Sequence, residues 1–208
     1  MKELKPETQA FLDRVSNFID TEIKPNESLY QQQVEEGGRW CVPPIMEEMK
    51  AKAKAEGLWN FFLPGYEGDF GTGLTNFEYS HLAEKMGAVG ISSEVFNCSA
   101  PDTGNMEVLE RYGTEEQKDQ WLKPLLSGEI RSAFGMTEPG VASSDATNMA
   151  ATAVLDGDEY VINGEKWFIT GFNGAKLNII MARTSDKIEK GHGATMFLVD
   201  NDDPAIIK

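Results

Sequence analysis

The spacing of the apolar residues changes near residue 130, and this change constrains the fold more than any other feature of the chain. Before it, apolar residues recur three and four positions apart, as in residues 11–23, which is typical of the buried stripe of an amphipathic helix. After it, short apolar runs such as residues 177–182 and 194–199 are typical of strands. The sequence therefore predicts an α+β protein, with an all-α helical domain at residues 1–130 and a small β-sheet or β-barrel domain at residues 131–208.

Local signals in the first half predict where helices begin. Thr75 with Glu78, and Thr114 with Gln117, have the spacing of a capping box, in which the first side chain and the one three positions later satisfy each other's backbone N–H groups. The segment 26–40 is polar and contains glycine, which predicts a loop.

Local signals in the second half predict turns and strands. Asp156-Gly157 predicts a turn. Asn163-Gly164, between the apolar runs 160–162 and 166–170, predicts a tight two-residue hairpin. Residues 205–207 predict the start of a further strand.

Composition limits the classes of function. A net charge of −15 argues against a general nucleic-acid or membrane-surface binder. No apolar run approaches the length of a membrane span. Cys41 and Cys98 are far apart and the first residues lack a signal or transit pattern, so a cytoplasmic location is expected. His81 and His192 have no partner at metal-ligand spacing, and no metal site is expected.

The stretch 131–170 contains the strongest candidate for a functional site. It combines apolar side chains with small hydroxyls, the mixture that a flat and partly polar ring such as a flavin requires. By composition alone, an ordinary hairpin with a serine-rich turn explains the same residues, and this explanation is favoured. The side chains concerned are Phe134, Met136, Thr137, Ser143, Ser144, Trp167, Phe168, Ile169 and Thr170.

A resemblance to a known family changes this balance. Phe134-Gly-Met-Thr-Glu-Pro-Gly140, then Ser143-Ser-Asp145 and Asn163-Gly-Glu-Lys-Trp-Phe-Ile-Thr170, resembles the flavin-binding core of the acyl-CoA dehydrogenases. Residues 57–64 and 97–105 resemble the helical region of that family, most closely its long-chain or 4-hydroxyacyl-CoA-type branch. The resemblance implies an FAD-dependent enzyme that catalyses α,β-dehydrogenation of acyl-CoA thioesters.

The resemblance also assigns roles to residues. Thr137 would supply hydroxyl and backbone contacts to the pyrimidine end of the flavin, and Phe168 would pack against its ring. Ser143 or Ser144 would approach the pyrophosphate or the CoA. Glu138 is expected to be structural, because a carboxylate in such a turn accepts backbone hydrogen bonds. The full set of cofactor-binding residues implied is Phe134, Met136, Thr137, Ser143, Ser144, Phe168, Ile169 and Thr170.

Compared with that family, the chain is expected to be a fragment that is inactive alone. Its β domain would lack the closing strands. A C-terminal helical bundle that carries the catalytic glutamate would be absent, so no catalytic residue is assigned within residues 1–208. Acyl-CoA as substrate, an electron-transfer flavoprotein as acceptor and a homo-oligomer are implied for the full-length protein. The alternatives are a flavin oxidase or monooxygenase of the same fold, and a non-catalytic oligomerising or interaction module.

Overall fold

The computed structural model describes residues 4–38, 40–66, 68, 70–186, 188 and 192–208. The chain divides into two compact units, Met1–Gly128 and Glu129–Lys208. The first unit is helical and the second is built on a small mixed sheet. The predicted α+β fold class is confirmed.

The first unit consists mainly of α-helices. The first helix continues into a π-helical turn, Ile19–Ile23, and a 3-10 turn, Lys24–Asn26. A second π-helical turn, Lys118–Leu122, joins the last two helices. The α-helices are α1 (Pro6–Phe18), α2 (Glu27–Gly37), α3 (Pro44–Ala55), α4 (Asn76–Gly87), α5 (Ser92–Val95), α6 (Asp102–Tyr112), α7 (Glu115–Gln117) and α8 (Lys123–Ser127).

Helix α2 corrects the prediction of a loop at residues 26–40. Its sequence is rich in Gln and Glu, which favour helix intrinsically. No residue of α2 is fully buried. The helix therefore has only a weak apolar stripe, and the spacing of its apolar residues does not identify it in the sequence. Gln32 donates to Glu36 one turn later at 2.8 Å, and Gln33 Oε1 accepts the Ile45 N–H at 2.9 Å. These side-chain bonds stabilise a helix whose apolar pattern is slight.

Buried side-chain N–H groups bond the last carbonyls of α8. Trp59 Nε1 and Asn60 Nδ2 both donate to the Leu126 carbonyl, at 2.7 and 2.8 Å. Asn97 Nδ2 donates to the Leu125 carbonyl at 3.0 Å. The last carbonyls of a helix have no partner within it, and these three bonds supply partners from other parts of the unit.

Both predicted capping boxes are confirmed. In the first, Glu78 Oε2 accepts the Thr75 N–H at 2.9 Å and the Thr75 hydroxyl at 2.7 Å. Thr8 of α1 donates its hydroxyl to Glu78 Oε1 at 2.9 Å. The bonds from Thr75, with that from Thr8 and the charge of Lys5, outweigh burial and lower the pKa of Glu78 from 4.5 to about 2.

The stability contributed by Glu78 is expected to depend on pH. Because the pKa is lower in the folded chain than in the unfolded one, the contribution is fully present above pH about 5 and is lost between about 4.5 and 2. Urea unfolding of the wild type and of Glu78→Gln across pH 2–7 measures it. The difference in free energy of unfolding between the two should be constant near neutral pH and shrink as the pH falls. A difference independent of pH would contradict this assignment.

The second unit contains a five-stranded sheet. The strands are β1 (Ser132–Gly135), β2 (Thr152–Asp156), β3 (Glu159–Asn163), β4 (Leu177–Arg183) and β5 (Ala194–Asp200). The central strand, β4, pairs in parallel with β1 along one edge and antiparallel with β5 along the other. The hairpin of β2 and β3 joins β4 through Thr152 and Arg183. The predicted runs 177–182 and 194–199 are confirmed as β4 and β5.

The prediction of a hairpin turn at Asn163-Gly164 is wrong. The hairpin of this region turns at Gly157, which has φ 67°, as the Asp156-Gly157 signal predicts. Its register runs from Asp156 opposite Glu159 to Thr152 opposite Asn163. Gly164 serves close packing instead, because a Cβ there would lie 2.5 Å from Ala151 Cβ.

The strand predicted at residues 205–207 is also wrong. Backbone groups in this segment are used in turns: Asp203 N–H donates to the Asp200 carbonyl at 3.0 Å, and Ile206 N–H donates to the Asp203 carbonyl at 3.0 Å. Asp203 Oδ1 accepts the Ala205 N–H at 2.8 Å. An aspartate side chain that bonds two residues ahead favours a turn over an extended strand.

Candidate functional site

Two loops of the second unit meet beside the sheet. One, residues 136–140, follows β1, and the other, residues 164–170, follows β3. Trp167 N–H donates to the Thr137 carbonyl at 3.0 Å. Lys166 Nζ donates to the Met136 carbonyl at 3.0 Å. The two sequence motifs of the candidate site therefore lie side by side.

The Glu138 carboxylate is the centre of this junction. Its side chain is 4% exposed and accepts from Lys166 Nζ, whose side chain is 11% exposed, at 2.8 Å. It also accepts the N–H groups of Ala150 and Ala151, at 2.6 and 2.9 Å. The prediction that Glu138 accepts backbone hydrogen bonds is confirmed.

Opposing effects set the pKa of Glu138. Burial alone would raise it, because burial penalises the charged carboxylate. The hydrogen bonds from Lys166, Ala150 and Ala151, together with the charge of Lys166, outweigh burial and hold the pKa below its usual value. Glu138 is therefore ionised at neutral pH, and three donors bond its two carboxylate oxygens.

Thr137 retains donors that the fold does not use. Its carbonyl accepts from Trp167, and the next N–H in the chain, that of Glu138, donates to Ser143 Oγ at 2.8 Å. Within the part of the chain that the structure describes, neither the Thr137 N–H nor its hydroxyl has a hydrogen-bond partner. The residue is half-buried. Unused donors at a partly enclosed position are suited to a ligand with acceptor atoms.

Trp167 and Phe168 present a flat aromatic surface next to Thr137. Their rings are stacked, with centroids 4.3 Å apart. Phe168 is 79% exposed and has φ 54°, a left-handed conformation that is rare for a bulky residue. Strained backbone that displays a large apolar ring is typical of ligand sites.

The other predicted site residues differ in how available they are. Ser144 and Thr170 are exposed. The Ser143 hydroxyl is occupied within the loop, because it accepts the Glu138 N–H at 2.8 Å. The remaining members are half-buried: Phe134, Met136 and Ile169.

The contact of Lys166 with Glu138 was not predicted from the sequence. The only available signal was a lysine within one motif and a glutamate, Glu138, within the other. The ion pair joins residues 28 positions apart, so no local spacing rule predicts it.

Two absences bear on the class of site. Across the described ranges, no group of three His, Cys, Asp or Glu side chains is arranged to hold a metal ion. In the same ranges, no helix has the length and apolar character needed to cross a membrane.

Family models match nearly the whole chain. The model for the N-terminal domain of acyl-CoA dehydrogenases matches residues 5–129, and the model for the middle domain matches residues 133–207. The chain belongs to the acyl-CoA dehydrogenase family.

Individual relatives are longer than this chain. It is 48% identical over 208 residues to acyl-CoA dehydrogenase family member 10 of Mus musculus, covering 98% of this chain and 20% of the relative. It is 44% identical over 205 residues to acyl-CoA dehydrogenase family member 11 of Gallus gallus, covering 95% of this chain and 26% of the relative. The chain therefore spans between a fifth and about a quarter of these two proteins.

Solved structures share the fold. A structure from Mycobacterium abscessus, described as that of an acyl-CoA dehydrogenase, has a TM-score of 0.88 and 48% identity, covering 98% of this chain and 52% of that one. Glutaryl-CoA dehydrogenase from Mycobacterium smegmatis in complex with FADH2 has a TM-score of 0.74 and 28% identity, covering 97% and 47%. A structure described as the electron transferring flavoprotein of Acidaminococcus fermentans has a TM-score of 0.73 and 27% identity, covering 98% of this chain and 50% of that one.

Proposed function

We propose that the loops around Thr137 and Phe168 form part of the FAD site of an enzyme that catalyses α,β-dehydrogenation of acyl-CoA thioesters. The observation that carries the proposal is the unused N–H and hydroxyl of Thr137 beside the exposed ring of Phe168. Family membership and the FADH2 complex of a relative with 28% identity support it.

The residues present fit an isoalloxazine ring. Such a ring has a broad apolar face and a row of nitrogen and oxygen acceptors along one edge. The Phe168 ring would cover part of the face, and the donors of Thr137 would bond the acceptor edge. Ile169 and Thr170 would lie near the flavin N5 and O4 atoms. The sequence resemblance suggested the same set of residues from motifs alone.

When bound, FAD would supply the acceptor for the hydride that leaves the β-carbon of the acyl chain. The residues of this chain hold and orient the ring, and their donors favour the electron density that its acceptor edge gains. Removal of the α-proton requires a carboxylate with a free oxygen. Glu138 is unsuited to that step because Lys166, Ala150 and Ala151 already bond its oxygens.

The wider setting also belongs to the proposal. Acyl-CoA as substrate, an electron-transfer flavoprotein as acceptor and assembly into a homo-oligomer follow from the family resemblance. The cytoplasmic location stays a prediction from the sequence.

FAD binding by residues 1–208 tests the proposal. Titration followed by flavin fluorescence is expected to show binding, and Phe168→Ala should weaken it about tenfold, because stacking and burial of the ring face are lost. Thr137→Val, which removes one donor of about 1 kcal/mol, should weaken it several-fold.

Tyr160→Ala is the matched control, since Tyr160 is a half-exposed aromatic of the same sheet unit outside the two loops. The affinity of Tyr160→Ala for FAD should equal that of the wild type.

We also expect that acyl-CoA does not bleach FAD bound to residues 1–208, because Glu138 is not a free base. Absence of FAD binding by the wild type would overturn the proposal. Bleaching of the bound FAD by acyl-CoA would overturn the conclusion that Glu138 is not a free base.

A further inference from the structure

The peptide unit that joins Met136 to Thr137 is bonded asymmetrically. Its carbonyl accepts from the Lys166 ammonium at 3.0 Å. Its N–H, which belongs to Thr137, has no partner in the described ranges. The neighbouring unit, from Thr137 to Glu138, is bonded at both ends by neutral groups, Trp167 N–H and Ser143 Oγ. A largely buried cation therefore bonds the carbonyl of a peptide unit whose N–H has no partner in the described part of the chain.

A carbonyl that accepts a hydrogen bond from a cation is more strongly polarised than one that accepts from a neutral donor. Polarisation passes along the peptide unit and makes its N–H a stronger donor, as in chains of hydrogen bonds. The effect is greatest where solvent is excluded, and the side chains of Lys166 and Glu138 are 11% and 4% exposed.

We propose that Lys166 is a positioning residue for the cofactor: by bonding the Met136 carbonyl, it strengthens the Thr137 N–H as a donor to the electron-rich edge of a bound flavin. The inference rests on the proposed function of this site. Through this bond, Lys166 would raise the affinity of the site for reduced FAD relative to its affinity for oxidised FAD.

The surrounding bonds explain why a lysine serves this purpose without adding net charge. Glu138 neutralises the ammonium, so the pair exerts little long-range field and acts through direct bonds. Glu138 is itself anchored by Ala150 and Ala151, and the loops are joined independently by Trp167 N–H and the Thr137 carbonyl. The bond from Lys166 to the Met136 carbonyl is therefore not the sole link between the two loops.

Amide NMR of the chain without flavin tests the polarisation directly. In Lys166→Gln, which keeps a donor but loses the charge, the Thr137 amide proton should move upfield, and the Glu138 amide proton should move less. Lys166→Met should show the larger shift, and Lys166→Arg should restore the wild-type position. Lys176→Gln is the matched control, since Lys176 bonds the carboxylates of Asp200 and Asp202; the Thr137 signal should not move.

Flavin titrations separate this inference from the proposed function. With oxidised and reduced FAD, Lys166→Gln should weaken binding of the reduced form about tenfold more than that of the oxidised form, as expected for loss of a charge-assisted bond. Equal weakening of both forms, or an unmoved Thr137 amide, would overturn the inference. Failure of both neutral variants to fold would assign Lys166 a structural role alone and would also overturn it. A wild type that binds no FAD would overturn the proposed function, and the amide test would still decide whether Lys166 polarises the peptide.

Discussion

Glu138→Ala is expected to lower the free energy of unfolding by about 3–5 kcal/mol, the usual cost of removing one partner from a buried ion pair. The substitution leaves the Lys166 ammonium, on a side chain 11% exposed, without its carboxylate. It also removes the acceptor of the Ala150 and Ala151 N–H groups. Unpaired buried donors carry a desolvation penalty that their bonds to Glu138 now offset.

Urea unfolding of the variant and the wild type measures this loss. Lys176→Met is the control, because Lys176 also pairs with two carboxylates, Asp200 and Asp202, but with its side chain 41% exposed. Exposed pairs contribute about 0–1 kcal/mol. If Glu138→Ala costs no more than the control, the pair at the junction of the two loops does not stabilise the unit.

The structural role of Glu138 also constrains the chemistry. A general base must have a free oxygen within reach of the proton that it removes. The pKa of Glu138 is held low by three donors despite burial, so its carboxylate is a weak proton acceptor. The proposed dehydrogenation therefore needs a general base other than Glu138.

Local signals in the sequence predicted local structure well. The capping boxes of Thr75 and Thr114 were predictable because each is closed by a residue three positions later. Strands β4 and β5 were predictable because each is a mainly apolar run. Helix α2 was not, because its contacts leave no residue fully buried and its apolar spacing is correspondingly faint.

The candidate site was predictable only as two motifs, not as an arrangement. Asn163-Gly164 has the composition of a tight turn, yet the position of Gly164 is decided by its approach to Ala151, a contact between residues 13 positions apart in the sequence. The pair of Glu138 and Lys166 is likewise a long-range contact. Residue preferences at one position contain no information about such partners.

Phe96→Ala is expected to lower the free energy of unfolding by about 3–5 kcal/mol, since it removes a buried aromatic ring and leaves a cavity. Phe96 is 0% exposed. Its ring centroid lies 5.5 Å from that of Phe18 and 5.2 Å from that of Phe61. The ring therefore links the face of α1 to the buried segment before α4, and two favourable ring contacts are lost with it.

The same urea experiment tests this expectation, with Tyr112→Ala as the control. Tyr112 lies at the end of α6 and is 76% exposed, so its removal should change the free energy of unfolding by no more than about 0.5 kcal/mol. The size of the loss at Phe96 depends on how far its neighbours can collapse into the space. Because Asn60 N–H donates to the Phe96 carbonyl at 3.0 Å, the backbone there is tethered and collapse is restricted. A loss below about 1 kcal/mol would show that the aromatic cluster repacks freely, which a close-packed core does not allow.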